Sequence, residues 1–599
     1  MAAETETDPA LEAASWDLEP LLDGRGEGRI DELLDEAQAR ADAFAARYAG
    51  KVAQLDGPGL VEAMREIADL FELVGRAGSY ASLRFSTDTT DPARGALLQK
   101  VEERGTAIET KLLFFGLEWA ALDDDTAEEL LAADGLDFAR HHLRMERRYR
   151  PHLLSEPEER ILTEKSVTGR SAWSRLHSEQ VSAIEVDGEP LDVALSRLLS
   201  PDREVRRATA EAVTKALEPG LRTRAFIYNT LIHDKAVDDR LRNYPTWLTS
   251  RNLANQVSDE SVQALVEAVK SRYDIPQRWY RLKAQMLGLD RLADYDRSAA
   301  VTSEDERFGW EEARDLVLDS FGSFSPELEA LARRFFDERW IDAPVRPGKR
   351  GGAFCASAVP SVHPYVMLNY TFKRRDVLTL AHELGHGLHF ALASKQGILQ
   401  QGTPLTVAET ASVFGETVVF NRLLEQTGDP SSRLALLAEA IEGAIATVFR
   451  QTAMNQFEEA VHTARRTEGE LSVERFNEAW ATTQAEMFGD SVEITDGYRT
   501  WWSYIPHFIG TPGYVYAYAY GQLLALSVYR RYLDEGAPFV PRYLEMLAAG
   551  GSMLPEDLGR IVGIDLTDPG FWSAGLELVE EQLRAAESAA RAAGRLEAG

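Results

Sequence analysis

The sequence predicts a mainly α protein with one small β-sheet set beside its candidate active site. Three observations carry this. Apolar residues recur at three- and four-residue spacing through most of the chain. Helix-starting and helix-ending residues punctuate those runs. One Gly- and Pro-rich stretch, "APVRPGKRGGAFCASAVPSVHPYVMLNYTF" (343–372), breaks the pattern and ends in strand-like alternation.

Taken in order, residues 1–15 read as a disordered acidic tail. The opening "MAAETETDPALEAASWDLEPLL" has no basic region followed by an apolar one, so it is not a signal peptide. From Arg29 to about Leu217 the pattern is helical and amphipathic, as in "IDELLDEAQARADAFAARYAG". Asp187-Gly188 in "IEVDGEPLDV" reads as a hairpin turn or loop. "SPDREVRRATAEAVTKAL" opens with Ser200 as N-cap and Glu204 in the first turn. Helices continue from 218 to 345, resume at Asp376 and run to the end. The expected division is an N-terminal helical domain over 16–205 and a catalytic domain over 206–599.

Composition excludes several classes. The 599 residues carry a net charge of −32, a field that repels phosphate backbones and argues against nucleic acid as a partner. No run of about 20 apolar residues occurs, so no membrane span is expected. A single cysteine, Cys355, rules out an intramolecular disulfide and points to a reducing compartment, the cytoplasm.

The chemistry concentrates in "LTLAHELGHGLHF" (378–390). On a helix from Asp376, a plausible N-cap, to about residue 394, His382 and His386 are separated by about 40° and about 6 Å of rise. Both imidazoles then leave one face and can grip one zinc ion at about 2.0–2.1 Å. Glu383 sits about 100° round the helix, displaced from that grip but able to reach a water at the metal, where a general base belongs. Gly385 and Gly387 each cost a helix about 1 kcal/mol against Ala. Their missing Cβ atoms would admit a partner backbone or a substrate.

A catalytic zinc needs a third protein ligand. "TPLTVAETASVFGETVVFNRLLEQTGDP" reads as a helix from about Leu405 to Gln426, with Glu409 and Glu416 seven apart on one face. Acids on so apolar a helix are costly unless paired or metal-bound. Glu409 is the expected third ligand, and Glu416 the acid that orients a ligand histidine. In "SYIPHFIGTPGYVYAYAYGQLLALSVY" (503–529), His507 precedes a Gly/Pro loop and four tyrosines at alternate positions. Alternation suggests a strand; the sequel suggests a helix already begun. On a helix Tyr514 and Tyr518 share one face, Tyr516 and Tyr520 the other. A histidine N–H and a phenol O–H are suited to meet a developing oxyanion.

These three segments, with "WDLEPLL" (16–22), "GKRGGAFCAS" (348–357) and "PYVMLNY" (364–370), resemble the oligoendopeptidase F branch of the thimet oligopeptidase family of zinc peptidases. The resemblance implies an elongated, two-lobed helical zincin with a deep central channel and one Zn²⁺ per chain. It implies cleavage of internal bonds in short, unfolded oligopeptides. His382, His386 and Glu409 would bind zinc, and Glu383 would activate water. His507 and a tyrosine would stabilise the oxyanion, and Gly352, Ala353 and Phe354 would pair with the substrate backbone. The branch usually has a phenylalanine where this chain has Gly513. Tyr514 is the favoured oxyanion contact, with Tyr518 and Tyr520 in reserve. Cys355 reads as a small buried residue.

Two other readings stand beside this one. An exopeptidase, dipeptidyl carboxypeptidase or carboxypeptidase, shares the two-histidine helix and differs in the groups that capture a terminus. A non-catalytic helical scaffold with a relict metal site leaves Glu383 without a purpose. The oligomeric state is open, with a monomer slightly favoured.

Overall fold

The computed structural model describes residues 8–166, 168–301 and 307–596. The structure is 73% helical with only small sheets, which makes the chain mainly α. It divides into two compact units, each woven from three stretches. The first takes Met1–Arg150, Asp305–Leu423 and Arg531–Ile564; the second takes Pro151–Glu304, Leu424–Arg530 and Asp565–Gly599. The boundary expected near residue 205 cuts the chain once, whereas these units are discontinuous along it.

In the first unit, helices Arg29–Tyr48, Gly57–Ser86 and Pro92–Ala121 bury one core. Tyr365 and Met367 belong to that same core, so the sheet is fixed to the helices. Three strands form it. Tyr365–Tyr370 lies in the middle, parallel to the outer strand Ile341–Pro344 and antiparallel to the other outer strand, Phe354–Ala356. The connecting loop is pinned from below: the buried Lys349 ammonium donates to the Asp342 carboxylate and to the Pro344 carbonyl at 2.8 Å.

In the second unit, helices Leu221–Leu241, Arg450–Glu468 and Val473–Phe488 enclose an aromatic cluster. Tyr228, Phe457 and Trp502 meet there, and Phe508 stands 5.0 Å from Phe457. Phe508 follows His507, so the cluster anchors a predicted site residue.

The expected hairpin is present as Glu185–Val186 against Glu189–Pro190, with Asp187 and Gly188 both at positive φ, the combination a tight two-residue turn requires. Several expectations are corrected. Residues 8–15 are not a loose tail: Pro9–Ala13 is a helix, Leu11 is buried, and the Ala343 N–H donates to the Ala14 carbonyl. Residues 1–7 lie outside the described residues. The helix begun near Ser200 is capped by Asp202, whose carboxylate accepts the Glu204 N–H at 2.9 Å. A two-residue parallel pair, Leu292–Ala293 with Val492–Glu493, goes beyond the helices expected in both regions; it is too short to show a period. Among the described residues no helix is long and apolar enough to cross a membrane.

Candidate active site

The histidine helix runs Arg374–Ala393. Its cap position is Lys373 rather than Asp376. Asp376, three residues in, turns its carboxylate back to accept the N–H groups of Thr371 at 2.6 Å and Lys373 at 3.1 Å. The N–H of the cap residue is thereby satisfied. The second helix, Leu405–Gln426, has the bounds expected from the sequence.

Two glycines set how closely these helices meet. A Cβ on Gly385 would stand 2.5 Å from the Ala411 carbonyl oxygen and 2.6 Å from the Ser412 Cα. A Cβ on Gly415 would stand 3.2 Å from the Ala381 carbonyl oxygen. The backbones therefore touch where both glycines lie. Gly387 makes room for a ring, since its Cβ would be 2.5 Å from Phe335. Behind the crossing, Phe414 stacks on Tyr543 at 4.4 Å and meets Phe324 at 4.8 Å, holding the second helix against the first.

That contact brings three predicted residues together. Nε2 of His382 and Nε2 of His386 stand 3.3 Å and 3.5 Å from the same Glu409 oxygen, Oε2. Donor atoms of His382, His386 and Glu409 all lie within 4.8 Å of one another. Glu416 lies behind, its Oε2 3.1 Å from Nδ1 of His382, which aims Nε2 toward Glu409. Ser412 donates its hydroxyl to Glu409 Oε2 at 2.7 Å. The sequence reading missed this residue; its spacing of three from Glu409 on a helix was the available signal.

The electrostatics call for a cation. Burial disfavours the charged form of His382, but hydrogen bonds to Glu409 and Glu416 outweigh it and raise the group to about 10. Burial pushes Glu409 up, and His382 and His386 overcome this and hold it near about 2. His386, chiefly through burial, is lowered to about 4. Glu383 is 8% exposed, and burial pushes it up to about 7 against the pull of His382. Three carboxylates thus surround two imidazoles. Two nitrogens and one oxygen converging in an acidic setting fit a divalent ion of zinc's chemistry.

The edge strand Phe354–Ala356 follows Gly352, which adopts a left-handed φ of +81°, and Ala353. Asn369 donates its amide to the Gly352 carbonyl at 2.8 Å, fixing that entry. Cys355 is half-buried, and desolvation pushes its thiol up, away from the reactive thiolate.

In the second unit, His507 and two tyrosines form another group. His507 Nε2 is 3.2 Å from the Tyr518 hydroxyl. The Tyr514 ring lies parallel to the imidazole at 6.2 Å and edge-on to Tyr518 at 5.1 Å. Burial lowers His507, favouring neutral imidazole. Tyr514 precedes the helix Tyr516–Glu535, so the alternation reflects a helix entry and not a strand. Tyr520 belongs elsewhere: it is fully buried, its hydroxyl 2.8 Å from Ser261 Oγ and its ring 4.6 Å from Trp572. Tyr516 is likewise core, donating to Asn252 at 2.7 Å. Gly513 has φ of +72°, its Cβ would meet Leu248 at 2.7 Å, and its N–H donates to buried Glu458 at 2.9 Å. A phenylalanine would not fit this backbone.

A helical body whose acid-rich crossing of two helices offers two imidazoles and a carboxylate defines a metallopeptidase of the zincin class. Comparison with known proteins narrows this. Residues 320–578 match the model of "Peptidase family M3", and residues 118–185 match that of "Oligopeptidase F". Oligopeptidase PepF of Bacillus subtilis is 29% identical over 550 residues, covering 90% of this chain and 82% of that protein. Group B oligopeptidase PepB of Streptococcus agalactiae is 27% identical, covering 88% and 89%. Among solved structures, oligoendopeptidase-F from Enterococcus faecium superposes with a TM-score of 0.70 at 22% identity, covering 95% of this chain and 99% of that one. A Chlamydophila abortus protein assigned as a peptidase gives 0.84 at 22%, covering 98% and 99%. The chain is thus similar to the oligoendopeptidase F branch of peptidase family M3, and it is a metalloendopeptidase.

Proposed function

We propose that the protein is a zinc-dependent endopeptidase that hydrolyses internal peptide bonds of short, unfolded oligopeptides. One observation carries this reading: both imidazole Nε2 atoms converge on one oxygen of Glu409 while buried Glu383 follows the first histidine. His382, His386 and Glu409 would hold the ion, which when bound would supply Lewis acidity for water and the scissile carbonyl. Glu383 takes the proton of the attacking water and delivers it to the departing amine. Its burial supports that exchange, since a carboxyl near neutrality both accepts and returns a proton. We assign oxyanion stabilisation to His507 and Tyr514, with Tyr518 fixing the imidazole through their 3.2 Å contact. We assign the substrate backbone to the strand edge at Gly352, Ala353 and Phe354, where main-chain groups suit β-augmentation.

All these groups lie within 206–599, the span read as catalytic. The single cysteine supports the cytoplasm as the working compartment. The names of the relatives, oligopeptidases, support short peptides as substrates.

The test is a digest of a peptide mixture read by mass spectrometry, with and without chelator, using blocked and free termini. Internal cuts that chelator abolishes and that persist in peptides with blocked termini are expected. Cuts confined to free termini would establish an exopeptidase. Full cleavage by Glu383→Gln would overturn the proton-transfer assignment.

A further inference from the structure

The second unit contains a cavity of about 640 Å³ whose wall is cationic in a strongly acidic protein. Five basic side chains line it, of which Lys165 is exposed to solvent. Lys235 is engaged by Asp239 at 2.8 Å and Ser250 at 3.0 Å. Arg242 is engaged by Glu159 at 2.6 Å and Asp238 at 2.8 Å. Arg170 and Arg251 differ. Their contacts are long ones to carbonyl oxygens, Arg170 to Gly510 at 3.5 Å and Arg251 to Pro512 at 3.4 Å. The remaining carboxylate on the wall, Asp234, makes no ion pair within 4.0 Å among the described residues. Two guanidinium groups thus face one carboxylate, with most of their N–H donors unspent.

Position tells what they are for. The two carbonyls they brace belong to the loop joining His507 to Tyr514, and Arg251 also lies 5.9 Å from the Tyr514 ring centroid. A charge placed here sits beside the groups assigned to the reacting carbonyl.

We propose that this cavity is a subsite for a carboxylate of the bound peptide, held by Arg170 and Arg251. The planar forks of the two side chains match a carboxylate in a way that an ammonium would not. The inference rests on the assignment of His507 and Tyr514 to the substrate. The carboxylate comes from the peptide's C-terminus or from an acidic side chain.

The test uses paired peptides: one sequence as free acid and as amide, and one with Glu or Gln at each position in turn. The wild-type enzyme prefers the charged member of one pair, and that pair names the source. Arg170→Gln and Arg251→Gln each reduce the preference in kcat/KM roughly tenfold, through KM. Asp234→Asn, which removes the opposing charge, increases it, an outcome that misfolding cannot produce. Calorimetry of the same pairs on Glu383→Gln protein shows the same changes without turnover. No preference in the wild type, or equal losses for charged and neutral members, overturns the subsite. If variants of His507 and Tyr514 retain full turnover, the assignment of those residues fails, while calorimetry still reports on the cavity.

Discussion

Gly385 and Ala411 face each other with no side chain between them: a Cβ on the glycine would stand 2.5 Å from the Ala411 carbonyl oxygen. Backbone cannot yield as a flexible side chain does, so Gly385→Ala must push the two helices apart. Glu409 lies two residues before Ala411, and its oxygen serves both imidazoles. The expected result is a loss of about 1–3 kcal/mol in stability together with weaker metal retention, read by thermal denaturation and by metal content after dialysis. Gly402→Ala, where a Cβ meets nothing within 4 Å, is the control and leaves both unchanged.

Glu416 touches His382 on the ring nitrogen away from Glu409. Its replacement by Gln keeps the shape and removes the charge. Metal affinity should fall about 10- to 100-fold, measured by competition with a chelating dye, with the thermal midpoint of the chelator-treated protein nearly unchanged. An affinity equal to wild type would show that Glu416 is merely a solvated acid.

The sequence made the two-helix part of the site legible because its information is periodic. A spacing of four puts two histidines on one face, and a spacing of seven does the same for Glu409 and Glu416. The glycine pair signalled close approach without saying what approaches, because the partner surfaces, Ala411 and Phe335, come from distant positions. The tail reading failed at Pro9–Ala13 for a related reason: a five-residue helix shows no period, and its stability comes from tertiary contacts. The tyrosine run was ambiguous because period two and the start of a helix coincide over so few residues. Arg170 and Arg251 were invisible, since nothing local marks an arginine whose partners, the Gly510 and Pro512 carbonyls, lie 340 and 261 residues away.

The alternate tyrosines should separate cleanly into two kinds. Tyr514→Phe is expected to lower kcat about 100-fold with KM and thermal midpoint little changed. Tyr518→Phe should lower kcat about tenfold, through loss of the contact that fixes His507. Tyr520→Phe leaves Ser261 without one buried partner, costing about 1 kcal/mol of stability and no activity. Steady-state kinetics and thermal melts on the three variants decide this. A large kcat loss in Tyr520→Phe would overturn the separation.

Acid should weaken the second unit through Glu580. This residue, on the helix Pro569–Ala592, receives Arg272 at 2.7 Å, Arg278 at 2.7 Å and Arg584 at 2.8 Å. Hydrogen bonds from Arg278 and then Arg272 hold its carboxyl down at about 2. The folded value lies below the unfolded one, so the ionised carboxylate binds fewer protons in the folded state. Its contribution is therefore complete above the ordinary glutamate range and declines as pH falls toward about 2. Glu580→Gln should cost about 1–2 kcal/mol at pH 7, the sum expected for three partly exposed pairs acting as a network. The difference between wild type and variant should shrink steadily below about pH 4.5. Comparing the two proteins at each pH cancels the titration of every other group. A difference that stays constant from pH 7 to pH 3 would mean that Glu580 acts through packing, because packing does not titrate.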